Sequence, residues 1–226
     1  MEQAMGGPRL RYLILDLDDT LYPRRSGLMD LISERIGRYM TERLGFSPDH
    51  AEALRRRYYA QYGTTLRGLM EEHRIDPEDY LAYVHDVPLD AYLQPDPALD
   101  QMLRRIPLTK VIFTNASEEH ARRVLERLGV AHHFPIILDV RRLEYYNKPD
   151  PEAYRRILRH LNAQGPECIF VDDSVRNLRP ARALGMITIL VDGHLEDEVD
   201  FHVPDILSIE PVIQRLLLER NGDVKD

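Results

Sequence analysis

Cysteine is almost missing from this chain. Of 226 residues only Cys168 is one, which excludes an intramolecular disulfide. It stands in the apolar run Cys168-Ile169-Phe170-Val171, so a buried, inert thiol is expected rather than a nucleophile. An excess of positive charge is missing too. The net charge is −8, whereas general binding to nucleic acid or to an anionic membrane needs a basic face. Long apolar runs are absent. No stretch approaches the ~18 consecutive apolar residues of a membrane span. Met1 to Pro8 has neither the basic n-region nor the apolar h-region of a secretory leader. A cytoplasmic protein with no membrane or nucleic-acid partner is therefore expected. There is no internal repeat and no low-complexity segment. With 43% hydrophobic residues, a full core can be buried.

What the chain does have begins with Leu13-Ile14-Leu15-Asp16-Leu17-Asp18-Asp19-Thr20-Leu21. An apolar run, read as a buried strand, ends abruptly in three carboxylates and a threonine. Two carboxylates two positions apart, Asp16 and Asp18, can face one ligand if the chain turns there. The pair suits a hard cation such as Mg²⁺ and nucleophilic or acid–base work on a phosphate. Taken alone, the run reads as an acidic turn after a strand, and the rest of the chain must decide.

After Thr20 the periodicity becomes helical. Leu28, Leu31, Ile32, Ile36, Tyr39, Met40 and Leu44 recur at helical spacing before Gly45. Ser47-Pro48 opens a second helix. A third carries Leu66, Leu69 and Met70, and Asp76-Pro77 starts a fourth. Residues 22–94 thus read as a helical block without strand signals. From residue 95 onward strands alternate with helices. Lys110 to Thr114, Ile136 to Leu138, Cys168 to Val171 and Ile187 to Val191 are the expected strands. Helices are expected over Leu99 to Ile106, after Ser117, from Pro151, around Leu178 to Leu184 and from Pro211 to Glu219, with Asn221 to Asp226 frayed. Such alternation implies an α/β fold, a Rossmann-like parallel sheet with helices on both faces. Residues 1–21 and 95–226 would form this core, and residues 22–94 an inserted all-α cap.

The ends of the expected strands are chemically alike. The first ends in Asp16, Asp18 and Thr20, the second in Thr114-Asn115, the fourth in Asp172-Asp173-Ser174, and Lys148-Pro149-Asp150-Pro151 precedes a helix. In a parallel sheet these carboxyl ends share one edge. Acidic groups alone would repel a phosphate dianion. A cation held by the aspartates, donors near Thr114-Asn115 and a lysine would restore the balance.

The sequence here resembles the haloacid dehalogenase-like hydrolase superfamily. DLDDT at 16–20, Thr114, Lys148 in NKPDP and VDDSVRN at 171–177 follow its four motifs in order. The resemblance implies that Asp16 is a nucleophile forming an aspartyl-phosphate, and that Asp18 is the acid and then the base. It implies that Thr114 and the Asn115 backbone N–H hold the phosphoryl group while Lys148 neutralises it. Asp173, with Asp172 as the alternative, would hold Mg²⁺ together with Asp16 and the backbone carbonyl of Asp18. Asn177 resembles an outer-shell position, and Thr20 would brace the loop. Asn147 departs from the commoner glycine. Asp19 stands where relatives vary and is expected to hydrogen-bond locally. Dehalogenases of the superfamily lack the second aspartate, so Asp18 favours phosphoryl chemistry. Mutases such as β-phosphoglucomutase keep both.

Within the superfamily, the helical block resembles that of the pyrimidine 5′-nucleotidase type. Leu21-Tyr22-Pro23, Ser26-Gly27-Leu28, the run Tyr62 to Leu69, Tyr83 to Asp86 and Leu93-Gln94-Pro95 carry the likeness. It implies a phosphomonoesterase for nucleoside monophosphates, UMP or CMP first. Other small phosphate esters, a sugar phosphomutase and a non-catalytic regulator remain alternatives, and the oligomeric state is open. Substrate contacts are expected from Tyr22, Arg24, Tyr62, Thr64, Thr65 and His85. Tyr62 could equally be core, Arg24 a solvated hinge residue and His85 a helix C-cap. Four further signals are read as bland. Arg55-Arg56-Arg57 is expected to be a solvated face and His132-His133 a surface turn without metal-site partners. Asn115-Ala116-Ser117 is a chance sequon, and Glu196-Asp197-Glu198 is expected to be an exposed loop.

Overall fold

The computed structural model describes residues 8–192 and 198–221. A six-stranded sheet organises it, in the order β3-β2-β1-β4-β5-β6. The strands are β1 (Tyr12–Leu15), β2 (Thr109–Phe113), β3 (Ile136–Leu138), β4 (Cys168–Asp172), β5 (Ile187–Val191) and β6 (Phe201–Val203). Every neighbouring pair is parallel. The order reverses at β1. The chain steps outward through β2 and β3 on one side, then through β4, β5 and β6 on the other. Such a switch point opens a crevice at the strands' carboxyl ends. The register sets Leu15 opposite both Ile112 and Val171, so β1, β2 and β4 end nearly level.

Helices cover both faces, as continuous apolar strands require. On one face Leu13 and Leu15 pack with Leu99, Leu103, Val124, Leu125, Ile209 and Ile213. On the other, Ile14, Phe113 and Phe170 pack with Tyr154, Ile157, Leu178 and Ala181. Between β1 and β2 run α1 (Leu28–Arg38), α2 (Pro48–Tyr62), α3 (Thr65–His73), α4 (Pro77–Val84) and α5 (Pro97–Arg105). The remaining helices are α6 (Glu118–Leu128), α7 (Pro151–Leu161), α8 (Val175–Ala183) and α9 (Ile209–Asn221). The first four make a helical insertion with its own buried cluster, including Tyr39, Leu54, Tyr58, Leu69, Tyr80 and Leu81.

Local signals explain most boundaries. Ser47, Thr64, Asp76, Asp96, Ser117 and Asp150 each accept a backbone N–H from the first turn of the following helix. Two features depart from expectation. The first helix does not run unbroken to Leu44, because Tyr39–Arg43 forms a π-helical turn. A sixth strand, β6, was not foreseen. It is three residues long, too short for a period-2 pattern to register. It is fixed by the Asp200 carboxylate, which accepts from Thr188 N at 2.9 Å and Thr188 Oγ1 at 2.8 Å. Residues 1–7, where no leader is expected, Glu196-Asp197, and residues 222–226 of the end expected to fray lie outside the described residues. Among the described residues no helix is long and apolar enough to cross a membrane.

Candidate active site

Lys148 is the centre of the strand-end cluster. It is buried, with its Nζ 2.6 Å from Asp16 Oδ1 and 2.7 Å from Asp172 Oδ2. The rings of Phe113 and Phe170 flank the ammonium at 5.0 and 5.6 Å. Burial by itself would lower the lysine, but the Asp16 and Asp172 carboxylates outweigh it and hold Lys148 above its ordinary value. Asn115 clamps the same loop. Its Oδ1 accepts from Lys148 N at 2.8 Å, and its Nδ2 donates to Lys148 O at 3.2 Å.

Asp16 follows the last residue of β1, and its N–H donates to Val171 O at 2.9 Å. The Thr20 hydroxyl donates to Asp16 Oδ2 at 3.2 Å and accepts from Asp173 N at 3.1 Å, bracing the loop as expected. Thr114 stands just past β2, buried, with Oγ1 accepting from Ala116 N at 3.0 Å. Asp172 and Asp173 divide their tasks. Asp172 is fully buried and its oxygens are engaged by Lys148, Ser174 N and Asn177 Nδ2. Asp173 lines the cavity. Burial and then the Asp172 charge push its carboxyl up to about 7.

One carboxylate oxygen each from Asp16, Asp172 and Asp173 lies within 4.8 Å of the others. Burial pushes Asp16 upward, against the pull of Lys148 and with a further push from Asp172 and Asp173. Three carboxylates therefore face one buried ammonium. The surplus negative charge and the all-oxygen donor set fit a hard divalent cation such as Mg²⁺. Asp173, which lines the cavity, could hold it together with Asp16, whose two oxygens take one donor each, from Lys148 and Thr20, whereas those of Asp172 are shared among Lys148, Ser174 and Asn177.

Asp18 lies in a different environment. Its Oδ1 accepts from the Tyr22 hydroxyl at 2.6 Å and meets His120 Nε2 at 3.2 Å. Burial would raise this carboxyl, but His120 and the Tyr22 bond overcome that and hold it below its ordinary value. Asp19 has φ +59°, and its buried Oδ1 has no partner among the described residues, so that oxygen does not make the expected local hydrogen bond. Burial and then Asp18 push it up to about 6.

These groups open into a cavity of ≈ 690 Å³ between the sheet edge and the helical insertion, within the ordinary size of a small-molecule site. Asp16, Asp18, Asp173, Thr114, Asn115 and Lys148 line one side. Ile32, Ile36, Leu66, Leu81 and Val84 give an apolar wall, with Arg24, Thr64, Thr65 and His85 among the polar residues. Two expected contacts are not brought there. Tyr22 is buried against the core and spends its hydroxyl on Asp18. Tyr62 lines a separate cavity of ≈ 280 Å³, and its hydroxyl donates to Glu72 at 3.3 Å. Its carbonyl accepts from Asn147 Nδ2 at 2.9 Å, so Asn147 ties the insertion to the Lys148 loop. The neighbouring Gly63 has φ +86°, and a Cβ there would meet Lys148 O at 2.6 Å. Only glycine fits both demands.

Several residues read as bland have partners. Arg55 and Arg56 line the large cavity, and Arg55 donates to the Ser33 hydroxyl, whereas Arg57 pairs with Glu72. Arg56 and Arg57 are exposed, as a solvated face requires, and Arg55 is the half-buried member of the run. Asp100 Oδ1 lies 3.0 Å from His132 Nε2 and 2.8 Å from His133 Nε2, so this pair has the acidic neighbour that the linear spacing hid. His120 was missed outright. It begins an amphipathic helix in an ordinary-looking turn, and only the packing of α6 turns it toward Asp18.

A family model described as haloacid dehalogenase-like hydrolase matches residues 10–185. The chain is similar to Phosphate metabolism protein 8 of Saccharomyces cerevisiae, 28% identical over 216 residues, covering 89% of this chain and 66% of that protein. It is similar to Phosphoglycolate phosphatase of Neisseria gonorrhoeae, 27% identical over 154 residues, covering 64% of each. The chain thus spans just under two thirds of the length of both relatives. Among solved structures, β-phosphoglucomutase from Clostridium difficile aligns with a TM-score of 0.62 at 17% identity, covering 94% of this chain and 99% of that one.

Proposed function

The chain belongs to the haloacid dehalogenase-like hydrolase family, and on that premise we propose that it is a Mg²⁺-dependent phosphatase of small phosphomonoesters. Nucleoside 5′-monophosphates, UMP and CMP first, are the proposed substrates. The observation that carries the reading is Lys148 clamped between Asp16 and Asp172 at the floor of a cavity that Asp18, Thr114 and Asp173 also line or border.

Asp16 is the proposed nucleophile, with its Oδ1 held by Lys148 and its Oδ2 by Thr20. Lys148, Thr114 and the Asn115 backbone N–H would hold the phosphoryl group as it transfers. Asp18 would protonate the leaving alcohol and later deprotonate the attacking water. A Mg²⁺ ion held by Asp16, Asp173 and the Asp18 carbonyl would supply positive charge to the phosphate oxygens. Residues 22–94 are the proposed cap. Their apolar wall would exclude water, and Arg24, Thr64 and Thr65 would meet the leaving group. The ≈ 690 Å³ cavity has room for a nucleoside.

The test is phosphate release from a panel of nucleotides and sugar phosphates, with Mg²⁺ and with EDTA. We expect turnover of UMP or CMP that EDTA abolishes. Asp16→Asn should bring turnover to background while leaving the thermal unfolding transition in place. No release from any member overturns the phosphatase reading, and isomer interconversion without net phosphate release would make the chain a mutase.

A further inference from the structure

Asp18 carries both its side-chain donors on one oxygen. The Tyr22 hydroxyl reaches Oδ1 at 2.6 Å, and His120 Nε2 reaches the same atom at 3.2 Å. The two donors come from separate parts of the chain, one four residues on and one in the first turn of α6. Both are buried. The His120 ring is further held by a stack on His85, with centroids 4.4 Å apart and planes 19° from parallel. His85 is fixed in turn, its Nδ1 3.2 Å from the hydroxyl of Ser117, the N-cap of α6. His120 Nδ1 has no partner among the described residues. An N–H there would be buried without an acceptor, so a ring with a single N–H carries it at Nε2 and gives it to Asp18.

A carboxylate turning about its last bond exchanges its two oxygens. Two donors fixed on one oxygen remove that freedom, and a proton on the same oxygen would collide with them. We propose that Tyr22 and His120 are positioning residues, which saturate Oδ1 of Asp18 and reserve Oδ2 for proton transfer to and from the substrate. This rests on the phosphatase reading above. In the first half-reaction a proton that Oδ2 has taken from the bound ester monoanion passes to the ester oxygen as its bond to phosphorus breaks and the bond from Asp16 to phosphorus forms. In the second, Oδ2 takes a proton from water as the water oxygen bonds to phosphorus and the Asp16–phosphorus bond breaks. That proton leaves with the phosphate, so the products are alcohol and phosphate monoanion, and Asp16 and Asp18 return to their ionised starting states.

The test compares two leaving groups. An alkyl ester such as UMP needs a proton on departure, whereas p-nitrophenolate leaves without one. kcat/KM reports the half-reaction that expels the leaving group. His120→Ala should lower kcat/KM for the alkyl ester by about 10²-fold, within the ordinary contribution of general acid catalysis. For p-nitrophenyl phosphate the loss should stay under about tenfold, since this proton transfer is not required. His120→Gln, which offers an amide N–H from the same backbone position, should recover much of the loss. Tyr22→Phe removes only the hydroxyl and should reproduce the selective loss if His120→Ala folds poorly. Equal losses on both substrates, or none on either, would overturn the positioning role while the phosphatase reading stands. Failure of the unmodified protein to hydrolyse either ester would overturn that reading and this proposal with it.

Discussion

At the scale of single residues, burial turns the same few side-chain types to opposite ends. Lys148 and Cys168 are both fully enclosed beside the central strands. Lys148 keeps its charge there because two carboxylates lie within hydrogen-bond distance. Cys168 has no such support. Burial, with a smaller push from Glu167, raises its thiol up to about 12, so the reactive thiolate is scarce at any neutral pH. Iodoacetamide at pH 8 should leave native Cys168 unlabelled and modify it fully in denaturant, as read by intact mass. Rapid labelling of the folded protein would sink the inert-thiol reading.

At the scale of elements, close backbone approach holds the helical insertion together. Gly68 lies inside α3, where glycine costs roughly 1 kcal/mol relative to alanine. A Cβ at Gly68 would lie 2.2 Å from Tyr58 Cγ and 2.6 Å from Tyr58 Cβ on α2. The root of a buried ring cannot swing aside, so steric cost wins over helix propensity. Gly68→Ala should therefore destabilise by about 1–3 kcal/mol, the usual range for an overpacked core. A lower urea midpoint with unchanged slope would register it. An unchanged or raised midpoint would mean that α2 and α3 can separate freely. The Tyr58 hydroxyl, 3.0 Å from Glu72 Oε2 on α3, makes that separation harder still.

At the scale of the whole molecule, the sheet edge concentrates negative charge. Burial lifts Asp16 and Asp173 above the ordinary carboxylate range. A carboxyl raised in the folded state costs stability once the pH exceeds its unfolded value, and for Asp173 this runs from 3.8 up to about 7 and persists above. A divalent cation bound between the carboxylates would remove that cost. Mg²⁺ at about 100 times its dissociation constant should stabilise the fold by about 2.7 kcal/mol, seen as a raised Tm relative to EDTA. Asp173→Asn should lose most of this shift. A shift that Asp173→Asn leaves intact would place the cation elsewhere. The insertion is also tied to the core by arginines. Arg123 of α6 donates to the carbonyls of His85 and Val87, at 3.0 and 2.7 Å. Arg141 pairs with Glu78 of α4 at 2.6 Å and with Glu119 of α6 at 2.5 Å.

Sequence by itself determined the α/β alternation, five of the six strands and the strand-end groups from Asp16 to Asp173. These are local signals. Apolar runs, N-caps and strand ends are written within a few neighbouring residues. The three residues of β6 left no such trace, because their pairing depends on Asp200 reaching Thr188. Tertiary structure alone decided which side chains meet. It sent Tyr22 to Asp18 instead of the cavity, brought Arg55 to the cavity wall, and carried Asp100 to His132 and His133. It also delivered His120 across 102 positions to Asp18. No periodicity encodes such a contact, because the packing of α6 against the sheet sets its direction.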